Sequence, residues 1–226
     1  QTGYQSVKLV NRGIRPREIM TKEAFYNAIA LDMALGGSTN TALHIPAIAY
    51  YSGIDLTLKD FDQFTERVPH LTSMAPAGPH HIVDLFYAGG VPAILAELRK
   101  AGLVNDRQFV VYGKTMGEML DEIQARIKDP SVIRTIDNPV HKNGGLAVLT
   151  GNLAPGGAIV KQVAVDDEML RHSGPARVFE SEEEVVRAIT EKEIRKGDVL
   201  VIRYEGPRGG PGMRRKHLAH ARTSPG

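Results

Sequence analysis

Apolar residues recur at helical spacing through the first half of the chain. Phe25, Ile29 and Met33 fall on one face of KEAFYNAIALDMAL, and that period predicts an amphipathic helix. Thr21 stands at the N-cap position and Gly36-Gly37 ends the run. A second apolar stretch, from about Thr39 to Tyr51, predicts a helix ended by Gly53, with Pro46 marking a kink or a helix start. Thr57 caps the short amphipathic segment LKDFDQFTER, and the opening QTGYQSVKLV is mixed and helix-like. Residues 68–80, VPHLTSMAPAGPH, hold three prolines and a glycine and read as loop. Two short helices flank Gly89-Gly90, the second being PAILAELRKA with Gly102 after it.

The pattern then shifts toward strands. QFVVY reads as a strand. Thr115 and Glu118 have capping-box spacing and predict the helix MGEMLDEIQARI, broken by Asp129-Pro130. In GGLAVLTGNLAPGGAIVKQVAV two apolar β-prone runs are joined by a Gly/Asn/Pro-rich turn, a hairpin signal. ARVFE is another strand. Ser181 and Glu184 form a second capping box that opens EEEVVRAIT, and Gly197-Asp198 leads into the buried strand VLVIRY. The fold class predicted is α/β, helical first and strand-rich later, with a domain boundary between 130 and 140. No internal repeat or low-complexity tract is present.

Composition narrows the function classes. At 226 residues, 42% apolar and 24% charged, the chain has material for one large domain or two small ones. No stretch approaches the roughly 20 apolar residues of a membrane span, and no charged-then-apolar signal opens the chain. A cytoplasmic location is the expectation, with no membrane partner. The first residue is not Met, which leads us to expect a start inside a longer protein. The absence of cysteine excludes disulfides, thiol nucleophiles and self-sufficient iron–sulfur binding. The net charge of +2 comes from the end of the chain. Residues 214–226 carry Arg214, Arg215, Lys216 and Arg222 with no acid, and without them the body is at −2. A slightly acidic body does not read as a nucleic-acid binder.

Four stretches invite a chemical reading. In LGGSTNTALH, Leu35 to His44, backbone N–H groups at a helix start are positioned to hold an anion. A tight helix–helix turn with Ser/Thr caps is the stronger reading on physical grounds alone. His80-His81 is a poor metal pair, because adjacent side chains diverge and no partner stands at i+4. NPVHKNGGLAVLTGNLAPGGA lacks the Gly-Lys-Ser/Thr ending of a phosphate loop. EGPRGGPGM follows a strand, where ligand loops sit, but lacks a dinucleotide fingerprint. Its Glu205 is either a metal ligand or a solvated carboxylate.

Taken together and in order, five segments resemble the dihydroxy-acid dehydratase/6-phosphogluconate dehydratase family. They are RPREIMTKEAFYNAIALDMALGGSTNTALH, TSMAPAGPHHIVDLFYAGGVPAILAEL, IDNPVHKNGGLAVLTGNLAPGGAIVK, GPARVFESEEE and GDVLVIRYEGPRGGPGM, spanning residues 14–213. The resemblance is stronger to the dihydroxy-acid branch, in branched-chain amino-acid (Ile/Val) biosynthesis, than to the sugar-acid (6-phosphogluconate or aldonate) dehydratases. It implies a hydro-lyase that converts a 2,3-dihydroxy acid to a 2-keto acid. An iron–sulfur cluster would act as Lewis acid on the 3-hydroxyl, Mg²⁺ would hold the substrate, and a serine alkoxide would take the C2 proton.

The resemblance also implies an organisation. Residues 1–135 match the helical end of a large cluster-binding α/β domain, and 136–213 the start of a β-barrel-like (swivelling) domain. Residues 214–226 form an off-family basic tail. The family's cluster cysteines and several Mg²⁺ ligands lie upstream, and its serine downstream. Its remaining Mg²⁺-ligating glutamate is expected where Arg215 stands. The expectation is therefore an internal fragment, inactive alone, with no catalytic residue, no metal ligand and no cofactor of its own. Gly37, Ser38, Thr39, Asn40, Gly210 and Met213 are its substrate-proximal candidates. The intact enzyme would take a small dihydroxy acid and form a homodimer or homotetramer. A reading from another class makes the chain a non-catalytic module that binds a polyanion through its basic tail.

Overall fold

Thr21 Oγ1 accepts a hydrogen bond from the Ala24 N–H at 3.2 Å and opens the helix that organises the first half. This is the computed structural model of the chain, and it describes residues 2–204. Helices α1 (Thr2–Asn11) and α2 (Pro16–Ile19) precede α3 (Lys22–Ala34), and α4 (Thr41–Tyr51) and α5 (Leu58–Thr65) follow it. Helix α3 supplies the fully buried Ile29, Ala30, Met33 and Ala34, as its apolar period requires. Pro46 lies inside α4, which starts two residues later than the apolar run predicts.

Helix α6 (Ile82–Tyr87) and α7 (Gly90–Lys100) flank Gly89-Gly90. The strand predicted from QFVVY is reduced to β1 (Phe109–Val110), paired antiparallel with β2 (Lys114–Thr115). Helix α8 (Met116–Glu122) begins on its capping box, Thr115 N–H to Glu118 at 2.8 Å and the Glu118 N–H to Thr115 Oγ1 at 3.2 Å. It ends five residues short of the predicted stop. Gln124 takes a left-handed φ of 50° and the Ala125 N–H closes back on the Leu120 carbonyl, a C-terminal cap that no Gly or Pro announces.

The predicted hairpin forms β3 (Ala147–Leu149) and β4 (Ala158–Val160), antiparallel with Ala147 opposite Val160. It packs against α5. The chain divides into two compact units, Gln1–Val165 and Asp166–Gly226. In the second, β5 (Ala176–Phe179) and β6 (Val199–Ile202) run parallel. They are joined by α9 (Glu182–Thr190), since parallel neighbours need a crossover. Phe179, Val185 and Ala188 form its small core.

The fold is mixed α/β, as the periodicity predicts. Among the described residues the three sheets are each two-stranded and no closed barrel forms. No helix among them is long and apolar enough to cross a membrane.

Candidate functional site

The turn after α3 is built for close contact. The Gly37 N–H bonds back to the Asp32 carbonyl at 2.8 Å. Gly36 and Gly37 take φ of 95° and 69°, values a residue with a Cβ adopts only under strain. Each also faces a neighbour at contact distance. A Cβ on Gly36 would lie 2.7 Å from His70 Nε2, and one on Gly37 would lie 2.4 Å from Leu146 Cγ. From the other side, a Cβ on Gly145 would fall 1.9 Å from the Gly36 carbonyl carbon. The LGG turn and the NGG loop therefore press backbone on backbone.

Ser38, Thr39 and Asn40 continue the turn. Thr39 and Asn40 are exposed and Ser38 is half-buried. The Asn40 N–H donates to Ser38 Oγ at 3.3 Å. Asn40 is the N-cap of α4 and its side chain makes no cap bond. The bond that ties the turn down comes from Thr41, whose hydroxyl donates to Asp32 Oδ2 at 2.7 Å and also meets the Ser38 carbonyl. Burial pushes the Asp32 carboxyl above its ordinary range, and the Thr41 hydroxyl, the Ser38 backbone and the Lys161 charge partly oppose that.

A second strand of chain closes over this turn. The His70 N–H donates to the His141 carbonyl at 3.0 Å, and the Val140 N–H donates to the His70 carbonyl at 2.8 Å. The Leu71 N–H reaches the Ala34 carbonyl at the end of α3. The His70 and His141 rings stack at 5.3 Å with 8° between their planes. His70 is 4% exposed, and neither of its ring nitrogens has a hydrogen-bond partner of normal geometry. Its pKa is lowered to about 4, by burial first and then by the charges of His141 and Lys161, with the nearby Thr72 backbone acting the other way.

These segments enclose a cavity of about 60 Å³ lined by Leu35, Gly36, His70, Ser73, Met74, Ala77, His141, Lys161 and Val163. Its wall is the LGGSTN turn at Gly36, while Ser38 to Asn40 lie outside the lining. The grouping of His70, His141 and Lys161 was not singled out from the sequence. They are separated by 71 and 20 residues, and no spacing rule links them. The one available signal was a histidine inside the apolar run VPHL.

The His81 N–H donates to Asp84 at 2.7 Å and starts α6. His80 bridges to Met74 through the backbone. The two histidines serve the chain's local folding and do not converge on a common ligand point. Gly210, Met213 and Arg215, like Glu205, lie outside the described residues.

Two family models match the chain. The dihydroxy-acid/6-phosphogluconate dehydratase N-terminal model covers residues 1–119, and the C-terminal model of the same name covers 131–224. The chain belongs to this family. The second match takes in Arg215 and most of the basic segment. Proteins named dihydroxy-acid dehydratase from Caldanaerobacter subterraneus and Desulfatibacillum aliphaticivorans are 56% and 55% identical over 214 residues. That covers 95% of this chain and 38% of each relative. A third, from Carboxydothermus hydrogenoformans, is 54% identical over 213 residues. The chain thus spans 38% of the length of the relatives it matches.

Among the described residues, the donor set of this family member lacks the ligands that the groups implied by the resemblance require. There is no cysteine in the chain. Among the described residues no three His, Cys, Asp or Glu side chains converge to hold a metal. These described residues do not fit an iron–sulfur cluster or a Mg²⁺ centre.

Proposed function

We propose that this chain is a segment of a hydro-lyase that dehydrates 2,3-dihydroxy acids to 2-keto acids, in the branched-chain amino-acid route. The observation that carries the reading is the 56% identity, over 95% of the chain, to a protein named dihydroxy-acid dehydratase. The cluster and Mg²⁺ that such an enzyme uses would be held by residues in the remainder of the longer protein. This segment would contribute scaffold. Its LGGSTN turn, from Gly37 through Asn40, would stand near the substrate, as would Gly210 and Met213. Residues 1–135 would end the large domain and 136–213 would begin the swivelling, barrel-like one. The Gly36–Gly145 contact would then be part of the seam between them. The whole enzyme would be a cytoplasmic homodimer or homotetramer.

The test is a graft. Residues 1–214 replace the matching segment of the Caldanaerobacter relative, and the rest of that protein is kept. The expected result is 2-keto acid formation from 2,3-dihydroxyisovalerate, with far slower turnover of 6-phosphogluconate and aldonates. Preference for a sugar acid would transfer the reading to that branch, and a folded but inert graft would remove it. The chain alone is expected to be inactive. A second graft that keeps Arg215 tests whether a glutamate is needed there, since a cation at a Mg²⁺ ligand position repels the metal. Loss of Mg²⁺-dependent turnover is expected.

A further inference from the structure

We propose that the cavity between the LGG turn and the His70–His141 stack is a binding site for a single carboxylate group. The charges around it carry the argument. Three of its nine lining residues are His70, His141 and Lys161, and none is acidic. Lys161 makes no ion pair among the described residues. His70 is buried with two orphaned ring nitrogens, an arrangement that native interiors rarely leave without a partner. Ser73 adds a hydroxyl to the lining, a donor that suits a carboxylate oxygen.

Geometry excludes the neighbouring possibilities. A metal shared by the two imidazoles needs their in-plane lone pairs to converge, and rings stacked with 8° between planes point those lone pairs along parallel directions. Water would satisfy the His70 ring but brings no charge to Lys161, which among the described residues only the part-buried Asp32 opposes. The volume of about 60 Å³ is room for about two waters or one small group such as a carboxylate. The exposed His141 leaves a way in from solvent.

The carboxylate has two sources of the same chemistry, a free small acid or an Asp/Glu side chain from the remainder of the longer protein. Binding of either sort is coupled to protonation. A carboxylate beside the ring favours imidazolium, so it raises the His70 pKa from its depressed position and binds more tightly as pH falls. The titratable and charged groups facing His70 are His141 and Lys161, and Asp32 is the carboxylate that feels Lys161. The proposal does not depend on the dehydratase reading.

Titration of the chain with formate and with acetate, followed by ¹⁵N chemical shifts of the histidine rings, tests it, with chloride at matched ionic strength as the control. The expected result is a saturable shift at His70 and His141 and a rise of the His70 pKa of at least about one unit. Lys161→Met, at a half-buried loop position outside the core, is expected to weaken formate at least about tenfold without moving the thermal midpoint. The same titration on the grafted full-length enzyme separates the sources. A free acid gives the same saturation there, whereas a side chain already seated gives a raised His70 pKa that formate does not change. A formate response no larger than chloride in the chain, or equal affinity in Lys161→Met, would overturn the proposal.

Discussion

Gly145 shows how little room a single residue has in this fold. Its Cα faces the Gly36 carbonyl so closely that a Cβ would sit 1.9 Å from carbon and 2.0 Å from oxygen. Both partners are backbone, so neither can swing aside. Gly145→Ala is expected to cost about 3 kcal/mol in urea unfolding. Gly151→Ala, in open space at an ordinary backbone angle, should cost less than about 0.5 kcal/mol. Equal losses would contradict the contact. His70 makes a second residue-scale prediction. Its folded pKa of about 4 lies below the ordinary 6.5, so the unfolded chain takes up the proton first. Its contribution is therefore complete above pH 6.5 and is lost as pH falls toward 4, by up to about 3 kcal/mol. Asp32, with a raised pKa, opposes this where its own carboxyl protonates. Stability measured from pH 7 to pH 4 should fall in the native chain, and His70→Gln should flatten that slope. An unchanged slope would show that His70 is not the titrating group.

At the level of elements, the β3–β4 hairpin is held to α5 by a few specific contacts. Leu146, which precedes β3, is fully buried. Its carbonyl accepts from the buried Thr65 Oγ1 at 3.0 Å, and the Gly144 N–H donates to the Thr65 carbonyl at 2.7 Å. Leu146→Ala is expected to cost about 2–5 kcal/mol. It should also raise amide exchange in Ala147–Leu149 and Ala158–Val160 ahead of α3. Uniform loss of protection would mean that the hairpin does not open as a separate element. These elements were legible in the sequence because their signals are local. Thr21, Thr115 and Ser181 each accept from the N–H three residues on, and a cap of that kind is written within one turn. The stop of α8 at Glu122 was not legible, because a left-handed Gln124 depends on what the following residues pack against. The glycines of LGGSTN mark a tight turn in the sequence, but the predicted Ser/Thr cap does not form, since Asn40 is the N-cap of α4 without a side-chain cap bond, and the reason for both glycines is tertiary. It lies in Leu146 and His70, more than thirty residues away. The same holds for the His70 cavity, whose members share no spacing.

For the molecule as a whole, two surfaces compete to decide how the isolated chain behaves in solution. The first is the edge of β6, four residues long, whose far side has no strand partner among the described residues. Such edges promote pairing between chains, yet a short one offers only a few backbone bonds worth about 1 kcal/mol each. The second is the exposed apolar surface of two helices. On α6, Ile82, Phe86 and Tyr87 are 71%, 72% and 72% exposed, and on α4, Tyr50 and Tyr51 are 77% and 80% exposed. Covering one such aromatic ring is worth about 3 kcal/mol, so two or three rings outweigh the whole edge. Self-association of the purified chain is therefore expected to follow the exposed aromatic residues, those of α6 first. Sedimentation velocity should show mass rising with concentration, and Phe86→Glu with Tyr87→Lys should return the chain to monomer. Val201→Lys, on the β6 edge, should reduce association only slightly. If the edge variant alone abolishes association, strand pairing is the dominant contact and the ranking drawn from exposed area is wrong. In the grafted full-length enzyme the aromatic pair tests something further. If the remainder of the longer protein covers α6, the double variant should lower the melting temperature of the graft, a loss that an uncovered face would not produce.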